Sequence, residues 1–208
     1  MNRKLALLFC ASICFAQNYE MGAAAGYGFF RNTRVIAPAG TVTAGIRDRF
    51  AAGATLTEDM YEHLSGELRY LYQDGDPFVS GFGRKANIEG QSHSVTYELL
   101  FQVKDREQRL RPYVAAGGGI KYFRATGPEP APQPFADIVT LINSNELRWL
   151  LSVGGGLKYR VNRRVILRAD FRDYINPFPH KLFVPVPGGS GRGLMHQFTP
   201  MLGVGYSF

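Results

Sequence analysis

The chain has 208 residues with 24 glycines and 13% aromatics, and its formal net charge is +7. Its two cysteines, Cys10 and Cys14, both fall in the first sixteen residues, so the remainder can build neither disulfides nor thiolate metal sites. The sequence has no apolar run of the roughly 20 residues that a helix needs to cross a bilayer, and glycine and aromatics at this level favour a β-protein.

The first element reads as a leader. Residues 1–16 have the form of a secretory signal peptide, with Arg3 and Lys4 as a basic start, an apolar stretch over 5–15, and the small residues Cys14 and Ala16 at a cleavage site. Lipid attachment at Cys10 or Cys14 is the rival reading, opposed by the large Phe9 and Ile13 just before them. The mature chain, 17–208, is then expected as one domain whose charge falls from +7 to +5 when Arg3 and Lys4 leave. A basic exported surface suits anionic lipid heads and makes nucleic acid a poor partner.

Eight segments of alternating polarity follow, over 19–30, 41–57, 64–73, 92–104, 110–124, 146–160, 165–174 and 194–208. Tyr19, Met21, Ala23, Ala25, Tyr27 and Phe29 share one face of the first, and Val42, Ala44, Ile46, Phe50, Ala52, Ala54 and Leu56 one face of the second. The third offers Leu64, Leu68, Tyr70 and Tyr72, the fourth Val95, Tyr97, Leu99, Phe101 and Val103, and the sixth Trp149, Leu151, Val153, Leu157 and Tyr159. In the last, Phe198, Pro200, Leu202, Val204, Tyr206 and Phe208 alternate to the end of the chain. Connections are short over 58–63, 105–109 and 161–164 and long over 74–91, 125–145 and 175–193, where proline and glycine are dense. Short turns at one end and long loops at the other are the pattern of a transmembrane barrel, with an even strand number and both termini at the short-turn end.

The opposite faces decide between lipid and water. They carry Glu20, Arg47, Arg49, Glu67, Arg69, Glu98, Gln102, Lys121, Arg148, Lys158, Arg168, Asp170 and Arg172, interleaved with glycines such as Gly117, Gly119, Gly154 and Gly156. A soluble carrier barrel would turn its apolar face inward around a ligand. Acids and bases mixed with glycines suit instead the inside of an eight-stranded barrel, which side chains can fill. Charges there must pair, since an unpaired one costs several kcal/mol. The expected lumen ion-pair network is Glu67, Arg69, Glu98, Lys121, Arg148, Lys158, Arg168, Asp170 and Arg172. Tyr19, Tyr70, Tyr72, Tyr97, Tyr122, Trp149, Tyr159, Tyr206 and Phe208 are placed for interfacial girdles.

Other motifs have plainer readings. The similar stretches over 114–123 and 151–160 each hold a glycine triplet, but neither matches GxxxxGK[ST] opening a helix, so the glycines thin two strands beside arginines. His63, His93, His180 and His196 lack metal-ligand spacing, and no metal or cofactor is expected. Ser92-His93-Ser94 with Glu98 is the best catalytic thread, yet odd His93 and even Glu98 lie on opposite faces, so no catalytic residues are assigned. The basic runs over 104–111 and 160–164 could grip lipid phosphates or wall polymer, or simply be solvated turns. The apolar stretch 135–143 suits a short helix capping the mouth or a loop packed on its neighbours.

The leader, the Arg-Pro-Tyr-Val-Ala-Ala-Gly-Gly-Gly stretch from Arg111, the strand Arg168-Ala169-Asp170-Phe171-Arg172-Asp173-Tyr174 and the terminal Gly-Tyr-Ser-Phe together resemble the outer-membrane β-barrel family related to the transmembrane domain of outer membrane protein A. The resemblance implies that the barrel assembly machinery reads the last strand, with Phe198, Leu202, Val204, Tyr206 and Phe208 as its assembly signal. Two-domain members add a peptidoglycan-binding domain; none is expected here, which leaves wall anchoring unsupported. The expectation is an all-β, eight-stranded, antiparallel up-and-down transmembrane barrel in the bacterial outer membrane, non-enzymatic, in contact with outer-membrane lipids. A lipid A-modifying enzyme of deacylase type and a small pore are the alternatives, and the sequence names no extracellular partner.

Overall fold

A computed structural model describes residues 19–191 and 193–208. The leader expected over 1–16 lies outside the described residues. Strands occur in the order β1 (Tyr19–Phe30), β2 (Thr33–Ala37), β3 (Gly40–Ile46), β4 (Arg49–Asp59), β5 (Leu64–Asp74), β6 (Pro77–Gly81), β7 (Arg84–Asn87) and β8 (Gly90–Gln102). They continue as β9 (Leu110–Ala125), β10 (Val139–Leu141), β11 (Asn145–Arg160), β12 (Val165–Pro177), β13 (Phe183–Pro185), β14 (Ser190–Gly191) and β15 (Leu194–Ser207).

Strands β1, β4, β5, β8, β9, β11, β12 and β15 close an antiparallel barrel in which ring neighbours are also successive in the chain and β1 meets β15. This is the up-and-down architecture that the alternation predicts. The apolar parity points outward: Met21, Phe29, Tyr70, Val95, Leu99, Phe101, Trp149, Val153, Leu202 and Tyr206 are all exposed. The strands between run from 11 residues in β4 and β5 to 16 in β9 and β11, enough to cross hydrocarbon, which takes about 9–11 tilted residues. A closed wall with an apolar belt outside is solvated by acyl chains, not by water. No described helix is long and apolar enough to cross a membrane.

The long-loop end differs from the expectation. The segment expected as one strand over 41–57 is two, β3 and β4, broken at Arg47 and Asp48. Polar contacts hold the break: an Asp48 carboxylate oxygen accepts the Phe30 N–H at 2.7 Å, the Asp48 carbonyl accepts the Tyr27 hydroxyl at 2.7 Å, and the Arg47 N–H donates to the Asp76 carbonyl at 2.9 Å. Beyond it β3 leaves the barrel and pairs with β2 and β6. Val42, Ala44 and Ile46, expected on the outer face with Phe50 and Leu56, are therefore buried, while Phe50 and Leu56 stay outside.

The long connections accordingly carry strands of their own. They build a five-stranded sheet in the order β14-β2-β3-β6-β7 and a two-stranded sheet of β10 and β13. Val35, Val42, Val79, Ile88, Phe178 and Phe183 bury together between these sheets and the barrel rim, where Phe30, Phe123 and Met195 join the same core. The stretch 135–143 forms a turn, with the Ile138 and Val139 N–H groups on the Phe135 carbonyl at 2.8 Å, followed by β10. Its Phe135, Ile138, Val139 and Leu141 enter this core, so the packed-loop reading holds and the helix does not form.

Below this cap the lumen is layered. A second apolar cluster of Ala51, Leu71, Leu150, Tyr174 and Met201 fills the upper barrel, and Leu100, Tyr113 and Ala115 form a small one on the side of β8 and β9. The polar network lies between the Ala51 layer and the short-turn end.

Candidate functional site: the lumen network

Inward positions of β1, β5, β8, β11 and β12 supply the charges, because side chains two apart on a strand share a face. Glu67 is wholly buried and takes Arg69 and Arg168 at 2.7 Å each, with the Thr57 hydroxyl donating at 2.8 Å. Arg69 also reaches Asp170 at 3.1 Å, and Asp170 lies 3.7 Å from both Arg168 and Arg172. Arg172 Nε donates to Glu98 at 2.9 Å, and the other Glu98 oxygen accepts from Ser152 at 2.7 Å and Thr96 at 3.1 Å. Toward the turn end Lys158 pairs with Glu20 at 2.6 Å, and Arg168 joins that carboxylate at 3.4 Å. Tyr113 ties the layers: its hydroxyl accepts from Arg168 at 3.1 Å, and the Arg172 and Arg168 guanidinium groups lie 5.5 and 5.8 Å from its ring centroid.

The structure thus brings Glu67, Arg69, Glu98, Lys158, Arg168, Asp170 and Arg172 into one connected group. Glu20 belongs to it too. The sequence places Glu20 on the inner face but gives no sign of its partners, which lie 138 and 148 residues away. Two expected members stand apart. Lys121 meets no carboxylate among the described residues; its ammonium donates to Gln197 and sits 5.0 Å from the ring centroids of both Phe30 and Phe123. Arg148 pairs with Glu146 near the long-loop rim, where its side chain is partly exposed. Arg47 and Arg49, read as inward, sit at that rim with Asp74 and Asp76.

The catalytic thread comes apart. His93 lies on the outer wall, hydrogen-bonded to the Tyr70 hydroxyl at 2.7 Å and packed on the rings of Tyr70 and Tyr72. Ser92 and Ser94 point inward and are buried, and Glu98 is engaged by Arg172. Among the described residues no three His, Asp, Glu or Cys side chains group as a metal site.

The last strand, expected as an assembly signal, forms the seam with β1. Leu202, Val204, Tyr206 and Phe208 face outward along it, Phe198 is half-buried, and the Phe208 ring stacks on Tyr19 at 6.2 Å.

Closed order, short-turn and long-loop ends and an outward apolar belt define the fold type. No protein-family model matches the chain, and no curated protein matches it in sequence. Among solved structures it is similar to a major outer membrane protein from Thermus thermophilus, at 14% identity over 93% of this chain and 100% of that one, with a TM-score of 0.58. It is similar also to Neisserial surface protein A, at 12% identity over 93% of this chain and 100% of that one, with a TM-score of 0.52. The chain has the fold of the outer-membrane β-barrels. At such identities the likeness reaches the fold alone, and the lumen chemistry of this barrel is read from its own residues.

Proposed function

We propose that this chain is a non-enzymatic barrel of the bacterial outer membrane, with a lumen closed to ions, serving a structural or surface-binding role through the sheet it carries at its long-loop end. The observation that carries the reading is the crossing of the lumen by the Arg168–Glu67–Arg69–Asp170–Arg172–Glu98 group, with Glu67, Glu98 and Arg172 at 0% exposure. An eight-stranded barrel leaves an interior only as wide as its side chains. Here those side chains are cross-linked by charge and roofed by an apolar cap. The separation of His93 from Ser92, Ser94 and Glu98 favours this reading over a lipid A-modifying enzyme. On the same reading, acyl chains contact the outer belt and the barrel assembly machinery engages the strand ending in Phe208.

Planar bilayers test the closed lumen. The reconstituted barrel is expected to be nearly silent under applied voltage. Regular stepwise conductance would establish the pore instead.

A further inference from the structure

Two basic turns that are separate in sequence meet at the short-turn mouth of the barrel. Strands β9 and β11 are neighbours there: Arg111 stands opposite Lys158, the Arg160 N–H donates to the Arg109 carbonyl at 2.7 Å, and the Arg160 guanidinium donates to the Arg106 carbonyl. The result is a cavity of about 240 Å³ into which Arg106, Arg111, Arg160 and Arg163 converge. It is smaller than the sites that hold drug-sized ligands, which start at about 300 Å³.

Arg111 decides what the cavity is for. Its residue is 6% exposed, and among the described residues its Nε has no hydrogen-bond partner and its one side-chain hydrogen bond is a long 3.4 Å contact to the Glu62 carbonyl. The Nε of Arg106 also makes no hydrogen bond among the described residues, its contact with Asp59 Oδ2 being a 3.8 Å ion pair. Three carboxylates, Glu20, Asp59 and Glu107, also line the cavity, and among the described residues none of them hydrogen-bonds Arg111. Glu20 is held by Lys158 and Arg168, while Asp59 accepts the Ser65 hydroxyl at 2.6 Å and lies 3.8 Å from Arg106. A guanidinium N–H shut away from water and left unmatched is destabilising until an acceptor arrives. Guanidinium forks match the paired oxygens of an oxyanion, and several forks around one small cavity match a tetrahedral group that offers oxygens in several directions.

We propose that the short-turn mouth binds a phosphate group, with Arg111 as the buried anchor and Arg106, Arg160 and Arg163 closing around it. The group comes either from a soluble phosphate or from a phospholipid head at the membrane rim. Two probes separate these sources. Inorganic phosphate is titrated calorimetrically into the folded barrel in zwitterionic detergent at low salt, and phosphatidylglycerol retention is read by native mass spectrometry from nanodiscs that also contain phosphatidylcholine.

At least one probe is expected to bind, with an affinity at least tenfold lower in Arg111→Gln and severalfold lower in Arg163→Gln, an exposed turn position that leaves the fold intact. Phosphate uptake without selective lipid retention identifies a soluble ligand, and selective retention of phosphatidylglycerol identifies the lipid head. Should Arg111→Gln fail to fold, the loss in Arg163→Gln carries the test. The proposal is overturned if neither probe binds, or if binding is the same in Arg163→Gln as in the unaltered barrel.

Discussion

Arg172 has no solvent exposure, and its neighbours satisfy part of its guanidinium, Nη2 being buried without a hydrogen bond among the described residues. Its Nε takes Glu98, Nη1 donates to the Gly155 carbonyl at 3.0 Å, and its guanidinium lies against Tyr113. Gly154 makes the room: a Cβ there would sit 2.9 Å from Arg172 Cδ and 2.1 Å from the Phe171 carbonyl oxygen. Gly156 does the same for Tyr113, whose hydroxyl would be 2.7 Å from an added Cβ. Removing one partner of such a network leaves the others buried and uncompensated, at a cost of about 3–5 kcal/mol. Arg168→Ala and Glu67→Ala are each expected to lower the unfolding temperature of the detergent-folded barrel, and the double variant to lose less than the sum, because the two share a contact. Unchanged melting of both single variants would mean that the lumen pairs do not hold the barrel. The inner parity of these residues was legible in the sequence. Their pairing was not, because Arg69 takes a carboxylate 101 residues away, and only the ring order brings the two together.

At the scale of elements, the barrel strands were legible and the cap was not, and 41–57 shows why. One parity is apolar on both sides of the break, from Val42 to Ile46 and from Phe50 to Leu56, with Asp48 the single charged residue on it. Below the break the apolar positions meet lipid, and above it they meet the cap core; hydrophobic periodicity is blind to which apolar surroundings receive a side chain. The β6–β7 hairpin was hidden for another reason. Its two-residue turn has positive φ at both Phe82 (47°) and Gly83 (72°), the geometry usually announced by Asn-Gly. An exposed Phe carries no such signal. The cap core makes its own prediction. Val42 is 2% exposed within that core, and a carboxylate buried among its apolar side chains is costly, so Val42→Asp is expected to loosen the cap while the barrel stays closed. Trypsin should then cleave at the exposed Arg34, Arg84 or Lys85 well before it does in the unaltered protein, with the heat-modifiable gel mobility of the barrel retained. Equal cleavage rates in the two proteins would show that the loops do not depend on a common core.

For the whole molecule, closure rests on one seam, and the end of the chain is part of it. Strands β1 and β15 pair from Glu20 with Ser207 to Gly26 with Met201, and resume at Phe29 with Phe198. Phe208 adds one backbone bond to the Tyr19 carbonyl at 3.0 Å and one ring stack. A hydrogen bond at a strand end contributes about 0.5–1.5 kcal/mol net, and an aromatic pair about as much, small beside the ion pairs and ladders that hold the rest of the ring. If Phe208 matters only as wall, deleting it should trim the melting temperature slightly and leave membrane insertion intact. If the assembly machinery reads it, the two measurements part: the protein refolded in detergent melts within a few degrees of the unaltered one, while the assembled fraction in outer membranes falls severalfold. Undiminished assembly would reduce Phe208 to a residue that follows the last strand. A matching fall in both quantities would assign the defect to a weakened seam, and it is the divergence of the two that identifies a signal read before the barrel has closed.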